Sequence, residues 1–310
     1  MHPVEVKRRM GESDIAEVSQ LLHEALVADG HYPLGEHKWL DLVHGGRKGF
    51  AGFVARDGAG GAGGAGGALV GYAQLSRGHD TWGLEVVVRP DHRTPDTEVG
   101  TSLLAAALRE IRRQGGGHVH LWVPKPTPHS DAMAESCGLR RGRDLYQMRR
   151  PLPVEGARST VPTRPFEPGI DEAAWLVVNN RAFASHPEQG GWTLDTLLER
   201  EAEAWFDPAG FLLHERDGRL AASCWTKVHH DTQPPLGEIY VISVDPDFQG
   251  LGLGRELVLA GLEHLSSLGL TVGMLYVDAD NVPAVHLYER LGFSVDHTDR
   301  AYTADVRLDD

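Results

Sequence analysis

Cysteine is scarce: the 310 residues hold two, Cys137 and Cys224. They stand outside any paired spacing, which excludes a cysteine zinc site, a dithiol redox motif and a disulfide framework, and each reads as a small buried residue. Cations are also few. Thirty Lys and Arg face 44 Asp and Glu, a formal net charge of −14, which leaves no basic cluster for a phosphate backbone and excludes a nucleic-acid partner. No stretch approaches the roughly 18 apolar residues of a membrane span, and Met1 to Asp14 is too polar for a secretory signal. A cytoplasmic protein with no membrane partner is the expectation. Histidine is plentiful, at 17, yet His118-x-His120 and His229-His230 come with no third ligand at a recognisable spacing, so no metal is expected.

What is present points to two folded domains, because the chain is longer than one core of about 150 residues needs. A proline-bearing stretch from Pro151 to Pro165 contains little that packs and reads as a linker between domains at 1–150 and 166–310. The acidic excess lies beyond residue 150, where 11 basic and 26 acidic side chains compare with 19 and 18 before it. Such a surface attracts an amine and serves plain solubility equally well. The Gly- and Ala-rich run Gly58 to Gly67, between Phe53-Val54-Ala55 and Leu69-Val70-Gly71-Tyr72, reads as a flexible loop inserted in a hairpin.

Periodicity predicts a mixed α/β fold in each half. In the second, helices are expected at 171–184 and 194–205, strands at 211–215, 220–228 and 238–244, a helix at 254–268, a strand at 272–277 and a helix at 282–291. Leu257, Val258, Gly261, Leu262 and Leu265 form one apolar stripe on the third helix. The first half repeats the tail of this order with a strand at 84–88, a helix at 101–113 and a strand at 119–123. Val88-Arg89-Pro90 matches Val244-Asp245-Pro246, and Gly100 matches Gly254, so the halves read as copies of one fold.

The segment Gln249-Gly250-Leu251-Gly252-Leu253-Gly254 joins a strand to a helix. Glycines there let the backbone approach a ligand, and the helix start offers unpaired N–H groups and a positive dipole end, a cradle for pyrophosphate. An exposed N–H at Val244 is placed to receive the negative charge that develops on a thioester oxygen. Glu238 is the candidate base for an incoming ammonium, and a phenol suits the acid that protonates a departing thiolate.

Gln249-x-x-Gly252-x-Gly254 after Val244-Asp245-Pro246, followed by Asn281 and Leu287-Tyr288-Glu289-Arg290-Leu291-Gly292-Phe293, resembles the GNAT superfamily of N-acetyltransferases. The resemblance implies two tandem acyl-CoA N-acyltransferase domains, acetyl-CoA as acetyl donor, and Tyr288 as general acid. It implies donor contacts from Ile242, Ser243 and Val244, from Gln249 through Gly254 with Gly250, Leu251 and Leu253, and from Arg255. A further set is Asn281, Val282, Pro283, Ala284, Val285 and His286. In the first half, Trp82 and Ala134 stand where Glu238 and Tyr288 would be, and Arg93 to Gly100 has lost most glycines. Catalysis is therefore expected in the second half alone, while Val86, Val87 and Val88 either hold a second donor or only brace the other domain.

Further segments narrow the likeness: Pro33-Leu34-Gly35-Glu36, Asn180-Arg181-Ala182-Phe183, His186-Pro187-Glu188-Gln189-Gly190-Gly191-Trp192, Trp205-Phe206-Asp207-Pro208 and Trp225-Thr226-Lys227-Val228-His229. Together they resemble the mycothiol synthase family, which transfers acetyl to the cysteinyl amine of a cysteine-glucosamine-inositol conjugate. That implies substrate contacts from Glu36, Glu188, Lys227, Glu238 and Tyr276. An acetyltransferase for another small amine shares the cradle, Glu238 and Tyr288 without needing Glu36 or Lys227, and a non-catalytic acyl-CoA sensor has no use for an acid and a base. A monomer is expected, since the tandem fusion removes the need for a second copy.

Overall fold

The computed structural model describes residues 2–43, 49–58, 67–78, 81–94, 98–184 and 189–308, without the side chains of Glu36, His37 and Leu40. The chain divides into two compact units, one made of residues up to Leu145 together with those from His297 onward, the other of Tyr146–Asp296. In chain order the first part carries β1 (Val4–Lys7), α1 (Glu12–Asp29), α2 (Glu36–Val43), β2 (Ala51–Arg56), β3 (Leu69–Arg77), β4 (Thr81–Val88), α3 (Val99–Arg113), β5 (Gly117–Pro124), α4 (Pro128–Ser136) and β6 (Arg140–Pro151). There follow β7 (Arg164–Pro165), α5 (Glu172–Ala182), α6 (Leu194–Glu201), β8 (Phe211–Arg216), β9 (Arg219–His229), β10 (Leu236–Val244), α7 (Leu253–Ser267), β11 (Val272–Asp278), α8 (Val282–Arg290) and β12 (Ser294–Val306). Among the described residues no helix is long and apolar enough to cross a membrane.

The expected boundaries at 150 and 166 shift for two physical reasons. The long last strand, absent from the sequence reading, pairs antiparallel with β5 from Asp299↔Pro124 to Val306↔Gly117, so residues from 297 complete the first unit. Arg300 fastens it there, donating from Nε and Nη2 to the two Asp144 oxygens at 2.7 and 2.8 Å. The presumed linker does pack. Val154, Ala157 and Val161 lie on the second core, and α7 carboxylates accept from its backbone, Glu263 from Ser159 N–H at 2.8 Å and Glu256 from Thr160 N–H at 2.6 Å.

In the first unit the strand order is β1-β2-β3-β4-β5-β12, with β4 and β5 parallel and their neighbours antiparallel. The expected hairpin is β2 with β3, Ala51↔Leu75 through Arg56↔Leu69; residues 59–66 of the inserted run lie outside the described residues. In the second unit the order is β11-β10-β9-β8-β7, again with one parallel pair, β10 with β11.

One face of the second sheet packs against α7 and α8 around Leu257, Leu262, Leu275 and Val285. Close approach there requires Gly261, where a Cβ would lie 2.5 Å from Cys224 Sγ and 2.7 Å from Ile239 Cδ1. Cys224 is free and fully buried, with burial pushing its thiol pKa up to about 12, which makes it an inert packing residue as expected. The other face carries an aromatic core in which Phe166, Phe211 and Trp225 stack in series at 4.4 Å, with Trp175 edge-on to Phe211 and Trp225.

The duplication is visible in hydrogen bonds. Leu139 N–H donates to Ala134 O as Phe293 N–H donates to Tyr288 O, and Gly116 N–H donates to Ile111 O as Leu270 N–H donates to Leu265 O.

Asp171 anchors the entrance of α5. Arg164 donates to both of its oxygens at 2.6 and 2.8 Å, and these bonds hold the buried carboxylate below its ordinary pKa of 3.8 against the opposing effect of burial. A depressed carboxylate contributes stability above its unfolded pKa and loses it as the pH falls through the native value. Asp171→Asn is expected to cost about 1–2 kcal/mol at pH 7, Arg164 being partly exposed, and to weaken the loss of stability between pH 5 and pH 2; urea unfolding at both ends of that range measures it.

Candidate active site

Two parallel strands build the site by ceasing to pair. The β10–β11 ladder runs from Leu236↔Val272 to Ile239↔Leu275 and stops, although β10 continues to Val244 and β11 to Asp278. On its other edge β10 stays paired with β9 as far as Val244↔Ala222, and Asp245 N–H donates to Ala221 O. Donors alternate along an antiparallel strand, so if Asp245 N–H points to β9, the N–H groups of Ile242 and Val244 point into the gap toward β11. Unpaired donors of this kind are what an oxygen that gains negative charge needs.

A bulge marks the same place. The β9 register slips between Ile239 and Val241, and as a result Tyr240 and Val241 both pack in the aromatic core while Ile239 and Ile242 belong to the α7 side. Glu238 faces the aromatic side and is buried, with its Oε2 2.7 Å from His229 Nε2. Lys227 lies opposite Glu238 in the ladder, with Nζ 4.3 Å from the Trp205 ring centroid and 5.8 Å from that of Tyr240. Tyr276 follows Met274, the β11 partner of Glu238, by two residues and so shares its face; its hydroxyl accepts from Gln147 Nε2 at 2.7 Å.

Tyr288 comes from α8 on the opposite face, buried and edge-on to Phe293. Burial raises its phenol pKa, which keeps the proton on the oxygen at neutral pH. A group that must hand a proton to a thiolate needs that state.

Beyond Val244 the chain turns through Pro246–Phe248 into the glycine segment. Arg181 and Arg219 clamp the turn by donating to Asp247 at 3.0 and 2.9 Å, and Asp247 N–H donates to the buried Asp245 at 2.9 Å. Gly250 and Gly252 are left-handed, at φ +79° and +78°, with open space where a Cβ would stand; their conformation requires glycine. Gly252 is the N-cap of α7 and supplies no side-chain acceptor, which leaves the N–H groups of Leu253, Gly254 and Arg255 without intrahelical partners. Left-handed glycines before an uncapped 15-residue helix fit a pyrophosphate.

The other expected donor contacts vary in what they expose. Gln249 and Leu251 are exposed, whereas the Leu253 and Val285 side chains are buried in the core and are not available to a ligand. The Ser243 hydroxyl is turned inward to Ser223 Oγ at 2.8 Å. Asn281 caps α8 by accepting from Ala284 N–H, and Val282, Pro283 and His286 are exposed beside it. Glu188 and the Glu36 side chain lie outside the described residues. His229 and the Asp245–Asp247 clamp were missed, although strand alternation from Lys227 places His229 on the same face.

The first unit corrects one expected equivalence. Its parallel ladder runs from Thr81↔His118 to Leu84↔Leu121, which sets Gly83, not Trp82, at the place of Glu238. The shift arises because β4 has no bulge and is therefore one residue shorter. Trp82 points instead into the α3 core. A Cβ on Gly83 would lie 2.8 Å from Lys38 Nζ, which donates to Gly83 O at 2.7 Å. Burial lowers the Lys38 pKa, with Glu85 and Asp41 opposing. Ala134, the counterpart of Tyr288, is fully buried. Val86, Val87 and Val88 pair with Ala73, Tyr72 and Gly71; residues 95–97 of the first-unit cradle lie outside the described residues.

The model of the acetyltransferase (GNAT) family matches residues 16–139 and again 178–293. This chain belongs to the GNAT acetyltransferase family. Over 289 residues it is 43% identical to the mycothiol acetyltransferase of Acidimicrobium ferrooxidans, covering 91% of each chain. The enzyme of that name from Thermobispora bispora is 45% identical over 298 residues, covering 94% of this chain and 95% of the relative. Among solved structures, a GCN5-related N-acetyltransferase from Sphaerobacter thermophilus shares the fold at a TM-score of 0.73 and 22% identity, covering 99% of this chain and 98% of that one. A tandem GNAT protein from the clavulanic acid biosynthesis pathway does so at 0.69 and 17%, covering 99% and 100%. The GNAT domain is thus present twice, and the chain is an acetyl-CoA-dependent N-acetyltransferase.

For this acetyltransferase, Gly252→Ala forces a left-handed Ala at a cost of about 1–2 kcal/mol, and relief of that strain displaces the cradle. Titration with acetyl-CoA is expected to show affinity lower by about tenfold, with an unchanged circular dichroism spectrum.

Proposed function

We propose that the chain transfers acetyl from acetyl-CoA to the cysteinyl amine of the cysteine-glucosamine-inositol conjugate, giving mycothiol and CoA. The observation that carries this reading is the extent of likeness to mycothiol acetyltransferases, 41–46% identity over more than nine-tenths of the chain. When bound, acetyl-CoA supplies the acetyl thioester; the residues of the second unit do the rest.

Glu238 takes the proton of the incoming ammonium and leaves a neutral amine. Val244 N–H, and with it Ile242 N–H, stabilises the charge that develops on the carbonyl oxygen. Tyr288 protonates the departing sulfur. Gly250 through Arg255 hold the pyrophosphate, with Asn281 through His286 beside the rest of the donor. Lys227 and Tyr276, with Glu36 and Glu188, supply hydrogen-bond partners to a polyol acceptor, whose hydroxyls want polar contacts more than an apolar pocket. The first unit carries no catalysis: Gly83 and Ala134 offer neither base nor acid, and Val86–Val88 are left as a strand edge. The chain acts as a monomer in the cytoplasm, each copy having both units.

Incubation with acetyl-CoA and a panel of amines, followed by release of free CoA, tests the substrate. The cysteinyl conjugate is expected to give the highest kcat/KM; release only with another amine transfers the assignment to that amine. Glu238→Gln and Tyr288→Phe are each expected to lower kcat by about 10² to 10⁴ while acetyl-CoA binding is retained.

A further inference from the structure

A base must be aimed at the proton it takes, and a buried side chain is aimed by the group that hydrogen-bonds it. The Glu238 side chain is only 8% exposed, and a polar group so enclosed needs a hydrogen-bond partner. The donor the structure supplies is His229. We infer that His229 is the positioning residue of the base: its Nε2–H donates to Glu238 Oε2 and fixes the carboxylate rotamer. This rests on the reading of Glu238 as the base.

The geometry divides the carboxylate into two parts. Oε2 is held at 2.7 Å by His229, whereas no described group hydrogen-bonds Oε1, which is thereby left to take the ammonium proton. His229 reaches Glu238 diagonally. Its own ladder partner is Leu236, two residues earlier on the same face of β10, and Glu238 stands opposite Lys227. The Lys227 ammonium lies over the Trp205 ring, so the imidazole is the group left to meet the carboxylate. Just past β9, Thr232 Oγ lies 3.2 Å from His229 O, within the turn that returns the chain to β10. The His229 side chain is itself a quarter exposed.

The test compares His229→Ala, which removes the donor, with His229→Gln, whose amide places an N–H near the position of Nε2. His229→Ala is expected to lower kcat by about tenfold or more while the KM for acetyl-CoA changes by less than about twofold, and His229→Gln is expected to recover most of the loss. Loss of fold would change the circular dichroism spectrum and lower the fraction of chains that bind acetyl-CoA, neither of which a positioning role moves; should His229→Ala fail to fold, His229→Leu replaces it. A normal kcat in His229→Ala, or His229→Gln as slow as His229→Ala, overturns the inference. Glu238→Gln measured in parallel separates the two layers. If it turns over normally, the assignment of the base is wrong; if it is slow while His229→Ala is normal, only the positioning role is wrong.

Discussion

The site depends on the refusal of two neighbouring parallel strands to stay together. Four residue pairs join β10 to β11, and after Ile239↔Leu275 the ladder ends. The consequence is chemical, because it leaves the N–H groups of Ile242 and Val244 on an edge where no strand accepts them, and unpaired donors of fixed direction are what a developing oxyanion needs. It also opens a passage between the two faces of the sheet. Glu238 and Lys227 stand on one face and Tyr288 on the other, so side chains from both faces border the gap, as the proposed base and acid require. The glycine cradle follows directly because β10 leads into it through the clamped turn at Pro246–Phe248.

The same frame occurs twice in the chain with different contents. In the first unit the parallel ladder also stops after four pairs, yet Gly83 and Ala134 occupy the decisive places and Lys38 Nζ fills the space a side chain at 83 would take. Replacing Gly83 by an acid would therefore not restore a site; the lysine would have to leave first. A fold thus provides the edge and the gap, while the chemistry comes from a few side chains set on them.

Much of the second unit was legible in its residues. The α7 stripe, the strand at 238–244 and the glycine segment have strong local signatures, and the observed elements begin and end within a few residues of those expected. The left-handed conformation of Gly250 and Gly252 also follows from residue type. What escaped depends on pairing. The register slip beside Tyr240 leaves no trace in hydrophobic alternation over so short a strand, and without it Trp82 was matched to Glu238. Residues from His297 belong to the first unit because of hydrogen bonds to β5, a contact between segments about 180 residues apart. His229 read as half of a histidine pair with no metal; its meaning lies in the carboxylate nine residues on. Glu36 and Glu188 rest on resemblance alone.

The central claim is that acyl transfer occurs in the gap between β10 and β11 and nowhere else. A bisubstrate analogue, with CoA joined covalently through an acetyl linker to the cysteinyl amine of the conjugate, tests it by amide hydrogen exchange at one equivalent per chain. Slowed exchange is predicted at 242–255 and 276–288, with 84–94 and 118–134 unchanged. Protection in the first unit with none in the second would contradict the account.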